Sequence, residues 1–92
     1  MMAHILAKQI FRDFDEWLAA FEGNASMRRE NGSKGAVVWR DPGRPNEVLI
    51  YFKWDSLENA NKYFSAPKLT DLLDKVAAGV PLIITESYEV DA

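Results

Sequence analysis

The amino-acid sequence predicts an α+β fold in which strands and helices follow the order β-α-β-β-α-β. Two helix starts carry this prediction, because residues 13–16 and residues 55–58 both have the sequence D-x-x-E and both precede apolar residues at helical spacing. Runs rich in β-branched and aromatic residues flank these two helices. A loop of Pro, Gly and Asn at residues 41–46 separates the two middle runs.

The first strand and the first helix follow from local patterns near the start of the chain. Residues 4–11 alternate in part between apolar and polar side chains, as a half-buried strand does. Asp13 and Glu16 form a capping box in which Asp13 accepts from first-turn amides and Glu16 reaches back to the amide of the cap. Four apolar residues then share one helical face: Phe14, Trp17, Leu18 and Phe21. The helix resumes over residues 25–30, and Asn31-Gly32 ends it.

The middle strands and the second helix are predicted next. Residues 35–40 and 48–54 form the second and third strands. Asp55 repeats the helix cap, and Leu57, Ala60 and Phe64 form the buried stripe. Pro67 breaks this helix just after residue 64, because proline is tolerated only near a helix start. The second segment carries four apolar residues on one face: Leu69, Leu72, Leu73 and Val76.

The end of the chain completes the predicted topology. Gly79 and Pro81 end the second helix, and residues 82–90 form the last strand. This order is that of a ferredoxin-like domain, with both helices on one face of an antiparallel sheet. One such domain accounts for residues 1–92.

The third strand is apolar on both faces, whereas a sheet with helices on one side normally turns polar residues to water on the other. One face carries Val48, Ile50, Phe52 and Trp54, and the other carries Leu49 and Tyr51. Residues 37–39 and 82–84 share this character, so the sheet of a second subunit is the predicted cover. Scattered surface hydrophobic residues are the alternative. Trp39 faces the helices if it pairs with Val48, and the second subunit if the register shifts by one residue.

Composition excludes several classes of protein. The chain has no Cys, and its single His leaves no cluster that could hold a metal. No apolar run approaches the roughly 20 residues of a membrane-spanning helix. A net charge of −3 disfavours nucleic-acid binding. No secretion signal precedes the first strand, so we expect a cytoplasmic protein without metal, nucleic-acid or membrane partners.

Three motifs resemble those of the dimeric α/β-barrel superfamily, and in particular of its small antibiotic biosynthesis monooxygenase-like proteins. They are R-D-P-x-x-P-N-E-V at residues 40–48, W-D-S-L-E at residues 54–58 and S-x-P-x-L at residues 65–69. The resemblance covers nearly the whole chain. It implies a homodimer whose two sheets form a barrel, with a cleft between helices and sheet in each subunit.

The same resemblance carries expectations about chemistry. Some relatives oxidise polyketide quinones with molecular oxygen and no cofactor, and others degrade haem. Trp54 matches a tryptophan that faces the cleft in relatives. The haem-degrading branch uses a His after the S-x-P turn, where this chain has Leu72 and Leu73. The resemblance therefore implies that neither haem nor another cofactor is bound, and it identifies no catalytic residue.

Candidate functional residues are mostly aromatic. Five of them are candidates to line a cleft for a flat apolar ligand, and filling the core is the alternative for each: Trp17, Phe21, Phe52, Trp54 and Tyr63. His4 is the candidate general base, and a strand-surface residue is the alternative for it. Five basic residues are expected on a solvated surface, and holding a carboxylate or an enolate is the alternative for them: Arg28, Arg29, Lys34, Arg40 and Arg44.

Two functions are compatible with these features. The first is a homodimer that binds an apolar aromatic molecule and oxidises it as a cofactor-free monooxygenase. The second is a non-catalytic binding or stress-associated dimer with the same cleft, since one scaffold hosts many functions.

Overall fold

The computed structural model describes residues 2–78 and 81–91, and it confirms the predicted order with each helix divided into two segments. The strands are β1 (Ala3–Ile10), β2 (Ser33–Trp39), β3 (Glu47–Trp54) and β4 (Leu82–Ile84). The helices are α1 (Phe14–Gly23), α2 (Ala25–Glu30), α3 (Leu57–Phe64) and α4 (Pro67–Val76). None of these helices is both long enough and apolar enough to cross a membrane.

The strands form one antiparallel sheet in the order β2-β3-β1-β4. β1 and β3 lie at its centre, with Ala3 opposite Trp54 and Ile10 opposite Glu47. The helices connect β1 to β2 and β3 to β4. This is the ferredoxin-like arrangement that the sequence predicts.

The helices cover one face of the sheet, which we call the inner face. Its central strands contribute six buried side chains: Ile5, Ala7, Val48, Ile50, Phe52 and Trp54. They alternate along each strand with more exposed residues, as the pleat of a strand requires. Trp17 of α1, Tyr63 of α3 and Val76 of α4 complete the same core. Burial of each large apolar side chain contributes about 1.5–3 kcal/mol, so this layer dominates the stability of the fold.

One predicted helix cap is confirmed and the other is shifted by one residue. The carboxylate of Asp13 accepts from the two amides that follow it in the first turn of α1, at 2.9 and 3.4 Å. At α3 the N-cap is Ser56, whose hydroxyl accepts from the Asn59 amide at 3.1 Å, and not the predicted Asp55. Asp55 instead accepts from the side-chain amide of Asn59 at 3.1 Å, so it supports the helix start from outside the cap position.

The predicted break in the second helix is confirmed, but its buried stripe is partly wrong. α3 ends at Phe64 and α4 starts at Pro67, a first-turn position that suits proline. Ala60 and Tyr63 are the buried residues of α3. Leu57 has the predicted spacing, but it stands at the first position of the helix and stays 41% exposed.

The predicted last strand is wrong beyond Ile84. β4 pairs through only three residues with Leu6–Lys8 of β1, and residues 85–91 have no regular structure. Tyr88 and Val90 are 78% and 83% exposed. Their β propensity is not matched by burial, which is what chiefly holds a strand in place. The predicted helix end at Gly79 lies outside the described residues.

The described helices leave the opposite face of the sheet uncovered, and we call it the outer face. The strand register aligns side chains in rows across all four strands. One row holds Ile84, Leu6, Tyr51 and Val37, and the next holds Leu82, Lys8, Leu49 and Trp39. Trp39 pairs with Leu49 and is 56% exposed, so it lies on the outer face. The structure therefore confirms that the strands are apolar on both faces.

A single glycine fixes the junction between α2 and β2, and its substitution is expected to be costly. Gly32 has φ 104°, and an added Cβ would lie 2.3 Å from Oδ1 of Asp55. Left-handed backbone at a residue with a Cβ costs about 1–3 kcal/mol, and the clash adds to it. We expect Gly32→Ala to lower the free energy of unfolding by at least about 2 kcal/mol.

Gly23→Ala is the matched control for this substitution. Gly23 ends α1 without a positive φ, and nothing lies within 4 Å of an added Cβ. Because alanine favours a helix over glycine by up to about 1 kcal/mol, this variant should be neutral or slightly more stable. Urea unfolding at one protein concentration measures both variants, and equal stabilities would contradict the structural role given to Gly32.

Candidate functional site

Six aromatic side chains form a connected cluster between the inner face and helices α1 and α3. The members are Trp17, Phe21, Phe52, Trp54, Tyr63 and Phe64. Trp17 and Phe21 have ring centroids 5.0 Å apart, and Phe21 and Phe52 have centroids 6.1 Å apart. The structure thus brings together all five aromatic residues that the sequence proposes for a ligand cleft, and it adds Phe64.

Trp54 is the most deeply buried member of this cluster. It is 0% exposed, and its indole N–H donates to the carbonyl of Asn31 at 2.8 Å. Its ring packs against Tyr63 and Phe64 at centroid distances of 5.1 and 5.5 Å. Trp54 lines neither of the two cavities found between the helices and the sheet. It lies behind the residues that line these cavities.

The other four proposed residues surround a small inner cavity. Trp17, Phe21, Phe52 and Tyr63 line a space of about 30 Å³. A space of that size has room for a water molecule or two, so the cavity holds no aromatic ring as it stands. At this place the aromatic side chains fill most of the space that the sequence assigns to a ligand.

A larger open cleft adjoins the inner cavity, on the side of α4 and β4. Its volume is about 510 Å³. The walls are mostly apolar, and they are formed by Gln9, Phe64, Leu69, Thr70, Leu73, Asp74, Ala77, Pro81 and Ile83. Four of these residues also line the inner cavity: Gln9, Phe64, Leu69 and Leu73. The two spaces therefore share a wall and differ in how tightly side chains fill them.

Contacts at the end of α4 fix one border of the open cleft. The amide of Ala78 donates to the carbonyl of Ile10 at 2.8 Å. Nη2 of Arg12 donates to the carbonyl of Lys75 at 2.6 Å. These bonds join the C-terminal end of α4 to the end of β1. The cleft lies between the rest of α4 and the inner face.

The residues that line this open cleft were not predicted from the sequence. A signal for Gln9 was present, because it follows Ile5 and Ala7 on the inward side of β1 at strand spacing. A glutamine in that series interrupts an otherwise apolar face. For Thr70 and Asp74 the α4 pattern shows only which residues are polar, and their position at the cleft depends on how α4 docks.

A polar network closes the inner cavity at the α1–α2 junction. The hydroxyl of Tyr63 accepts from the side-chain amide of Asn24 and lies beside Arg28. Arg28 was expected on the surface, but it is 7% exposed and donates from Nη1 to the Phe21 carbonyl at 2.7 Å. Its guanidinium also lies 3.8 Å from the centroid of the Phe21 ring. Burial of the charge is therefore offset by a hydrogen bond and a cation–π contact.

This network keeps Tyr63 protonated. Burial raises the pKa of the Tyr63 phenol above its ordinary value, and the neighbouring Arg28 charge opposes that shift only in part. Burial also lowers the pKa of Arg28 from its ordinary value. A phenol whose pKa rises above an already high value stays neutral at neutral pH. Tyr63 is therefore a hydrogen-bond partner of Asn24 and not a candidate base.

His4, the candidate base, lies away from both cavities. It is exposed on the outer face, opposite Lys53 of β3. Its Nδ1 lies 2.5 Å from the Tyr51 hydroxyl. The sheet thus separates His4 from the cleft within one subunit. Across residues 2–78 and 81–91, no group of three or more His, Asp or Glu side chains is arranged to hold a metal ion.

The chain is similar to known proteins in both sequence and fold. A family model described as antibiotic biosynthesis monooxygenase matches residues 12–75, which is more than half of the chain. No functionally curated protein matches the chain significantly. The described fold is also present in many solved structures.

Three of these structures show how far the likeness extends. A protein of Chloroflexus aurantiacus that is named after the same family has 21% identity and a TM-score of 0.67, with 99% of this chain and 98% of that chain covered. SnoaB of Streptomyces nogalater, a cofactor-independent oxygenase, has 10% identity and a TM-score of 0.73 over 99% and 98% of the two chains. Rv0793 of Mycobacterium tuberculosis has 10% identity and a TM-score of 0.62 over 100% and 99%. Together with the family match, this shared fold shows that the chain belongs to the antibiotic biosynthesis monooxygenase family.

Proposed function

We propose that this protein is a homodimer that binds a planar, apolar aromatic molecule in the open cleft and oxidises it with molecular oxygen, without a cofactor. The observation that carries the proposal is the open cleft itself. Its volume of about 510 Å³ falls within the usual range of ligand pockets, about 300–1,000 Å³. The fold shared with SnoaB, a cofactor-independent oxygenase, supports the same class of chemistry.

The lining of the cleft suits a flat ring system. Phe64, Leu69 and Leu73 give apolar walls on the helix side, and Ile83 gives one on the sheet side. An aromatic ligand between these walls would bury most of its surface, which is the main source of its affinity.

The proposed reaction needs no external reductant. In a substrate with a methylene carbon between two aromatic rings, that carbon loses its two C–H bonds and gains a C=O bond. One atom of O₂ becomes the new carbonyl oxygen, and the other leaves as water with the two hydrogens. The substrate supplies all four electrons. The protein contributes by positioning the substrate and by keeping water from the reacting carbon.

Proton removal from the substrate needs an acceptor near the cleft. Asp74 is the ionisable side chain on the open-cleft wall within the described residues. It stands at the mouth, on the exposed side of α4. Asp74 is therefore our candidate acceptor for the proton that the substrate loses when it ionises, in place of His4 on the opposite face of the sheet.

The homodimer part of the proposal rests on the outer face. Two rows of mainly apolar side chains cross all four strands there, and no described helix covers them. A contiguous apolar patch of this kind marks an interaction surface. A second copy of the same sheet, related by a two-fold axis, covers it with a self-complementary surface. The cytoplasm stays the predicted location of this dimer.

A non-catalytic binding protein is the second candidate function. The observation that favours it is the character of the cleft wall, where a single carboxylate at the mouth is the ionisable group among the described residues. A buried base with a shifted pKa would be expected at many catalytic sites. Binding without turnover would need only the apolar walls.

Equilibrium dialysis and oxygen uptake test both candidates. We expect anthrone to bind the wild type and to consume one O₂ per molecule oxidised. Leu73→Trp should fill the cleft and weaken binding at least tenfold, about 1.4 kcal/mol. Leu57→Trp, the same change at an exposed position of α3, should leave binding unchanged. Binding without oxygen uptake would favour the non-catalytic candidate, and no binding of anthrones or hydroquinones would refute both.

A further inference from the structure

Gln9 carries a polar group into the wall of an otherwise apolar cleft. It lies on the inner face of β1 and lines both the open cleft and the inner cavity. Its Oε1 accepts from the indole N–H of Trp17 at 2.6 Å. A glutamine side chain has two ends with opposite roles, so the way it is held decides what it offers to a ligand.

The bond to Trp17 fixes that orientation. An indole N–H can only donate, so the amide atom that it contacts is the oxygen. The amide nitrogen, Nε2, is therefore the end that remains available to a ligand. In residues 2–78 and 81–91, no buried side-chain nitrogen or oxygen lacks a hydrogen-bond partner, and no described group accepts from Nε2. Nε2 is therefore the hydrogen-bonding end of Gln9 that can serve a ligand in the two cavities that Gln9 lines.

Packing holds the indole in place. Trp17 is 2% exposed, and its ring lies between Phe11 and Phe21 at centroid distances of 5.4 and 5.0 Å. Rotation of such a ring would require the surrounding aromatic side chains to move. The donor on Gln9 is thus preorganised by a residue that is itself part of the core.

The other polar side chains that the structure describes at the two cavities do not replace this donor. The hydroxyl of Thr70 lies 3.4 Å from the Ala66 carbonyl, to which it donates. The carboxylate of Asp74 is an acceptor when ionised. Tyr63 lines the inner cavity only. A single preorganised donor in an apolar wall is the kind of group that orients a ligand and gives specificity.

We propose that Gln9 is the specificity-determining residue of the cleft, and that it selects planar aromatic ligands bearing a carbonyl or phenolate oxygen over hydrocarbons of the same shape. The inference rests on the proposed function, in that the cleft must bind aromatic molecules at all. Beyond the proposed function, the inference specifies that the ligand carries an oxygen acceptor and that Gln9 on β1 recognises this oxygen.

Two ligands of nearly equal shape test the proposal, 9-fluorenone with a carbonyl and fluorene without one. Their affinities for the wild type and for Gln9→Leu are measured by equilibrium dialysis. The ratio of the two affinities is then compared between the two proteins, because this comparison cancels the different hydrophobicity of the ligands. One neutral hydrogen bond contributes about 1 kcal/mol, so the ratio in favour of fluorenone should fall about fivefold from wild type to Gln9→Leu. The affinity for fluorene should not fall.

Gln9→Glu keeps the shape of the side chain, so it separates the effect of losing the N–H donor from the effect of altered packing. Its carboxylate still accepts from the Trp17 indole, but it offers no N–H to the ligand and repels a carbonyl oxygen. The fluorenone-to-fluorene ratio should therefore drop at least as far as in Gln9→Leu. Tyr63→Phe removes the hydroxyl of the inner cavity and should leave the ratio unchanged. Thermal unfolding confirms that each variant is folded.

The outcomes separate the two levels of the proposal. If the wild type binds both ligands and neither Gln9 variant changes the fluorenone-to-fluorene ratio from its wild-type value, the role of Gln9 is refuted while the aromatic cleft stands. If Tyr63→Phe lowers the ratio and the Gln9 variants do not, the donor is Tyr63 and the inference is overturned. If the wild type binds neither ligand, the proposed function fails, and the role of Gln9 fails with it.

Discussion

Leu6→Lys is expected to convert the proposed homodimer into a monomer at micromolar concentration. Leu6 lies at the centre of the outer face, in the row that runs from Ile84 through Tyr51 to Val37. Its cross-strand neighbours, Ile84 and Tyr51, carry no charge that could pair with a lysine. In a sheet-to-sheet dimer the new ammonium would be buried without a partner.

The size of the effect follows from symmetry. An unpaired buried charge costs several kcal/mol, and a two-fold interface contains the substitution twice. Even about 3 kcal/mol in total raises the dissociation constant by about a hundredfold. In the monomer the same lysine remains in water, because Leu6 is already 38% exposed. The substitution should therefore disrupt association and preserve the fold.

Leu57→Lys is the matched control for Leu6→Lys. Leu57 is 41% exposed, close to the exposure of Leu6, but it stands on α3 and not on the sheet. Light scattering should give about twice the chain mass of 10.4 kDa for the wild type and for Leu57→Lys, and the chain mass itself for Leu6→Lys. A wild-type monomer, or dissociation caused by Leu57→Lys, would show that the sheets do not form the interface.

Local signals were sufficient to predict most of the fold. The D-x-x-E sequences and the proline at position 67 act within one helical turn, and the structure has the corresponding helix starts and break. The shifted cap of α3 shows where such signals end. Asp55 and Ser56 are both good caps, and the amide of Asp55 is used in a tertiary bond to the Gly32 carbonyl at 2.9 Å.

The last strand shows the opposite case, in which a favourable local pattern lacks tertiary support. Residues 82–90 are rich in β-forming side chains, but only three of them pair with β1. Strand formation depends on a partner strand and on a face to bury. Neither requirement can be read from the segment alone.

The site was predictable in composition and not in shape. The aromatic residues converge as expected, because strand and helix periodicity place them on inward faces. Whether they leave a cavity depends on fractions of an ångström in packing. Gln9 and Arg28 illustrate this limit, because both are polar residues whose place in the site depends on a tertiary neighbour. Gln9 is held by the indole of Trp17, and Arg28 lies beside the phenol of Tyr63.

Trp54→Ala is expected to lower the free energy of unfolding by about 3–5 kcal/mol, as removal of a large buried aromatic side chain does. Trp54 is fully buried against Phe52, Tyr63 and Phe64. Alanine would leave a cavity among these rings and leave the Asn31 carbonyl without its indole donor. Since small domains are stable by only about 5–15 kcal/mol, the loss is a large share of the total. The melting temperature should fall by at least about 12 °C.

Trp54→Phe distinguishes a core role from a role in ligand contact. Phenylalanine keeps a ring in the core but loses the N–H to Asn31, so urea unfolding at a fixed protein concentration should show a smaller loss of about 1–3 kcal/mol. Because Trp54 lines neither cavity, Trp54→Phe should bind fluorenone nearly as well as the wild type. A Trp54→Phe variant that keeps near wild-type stability but has lost fluorenone binding would contradict the core role. In that case Trp54 would contact the ligand directly, and the cleft would extend deeper than the structure indicates.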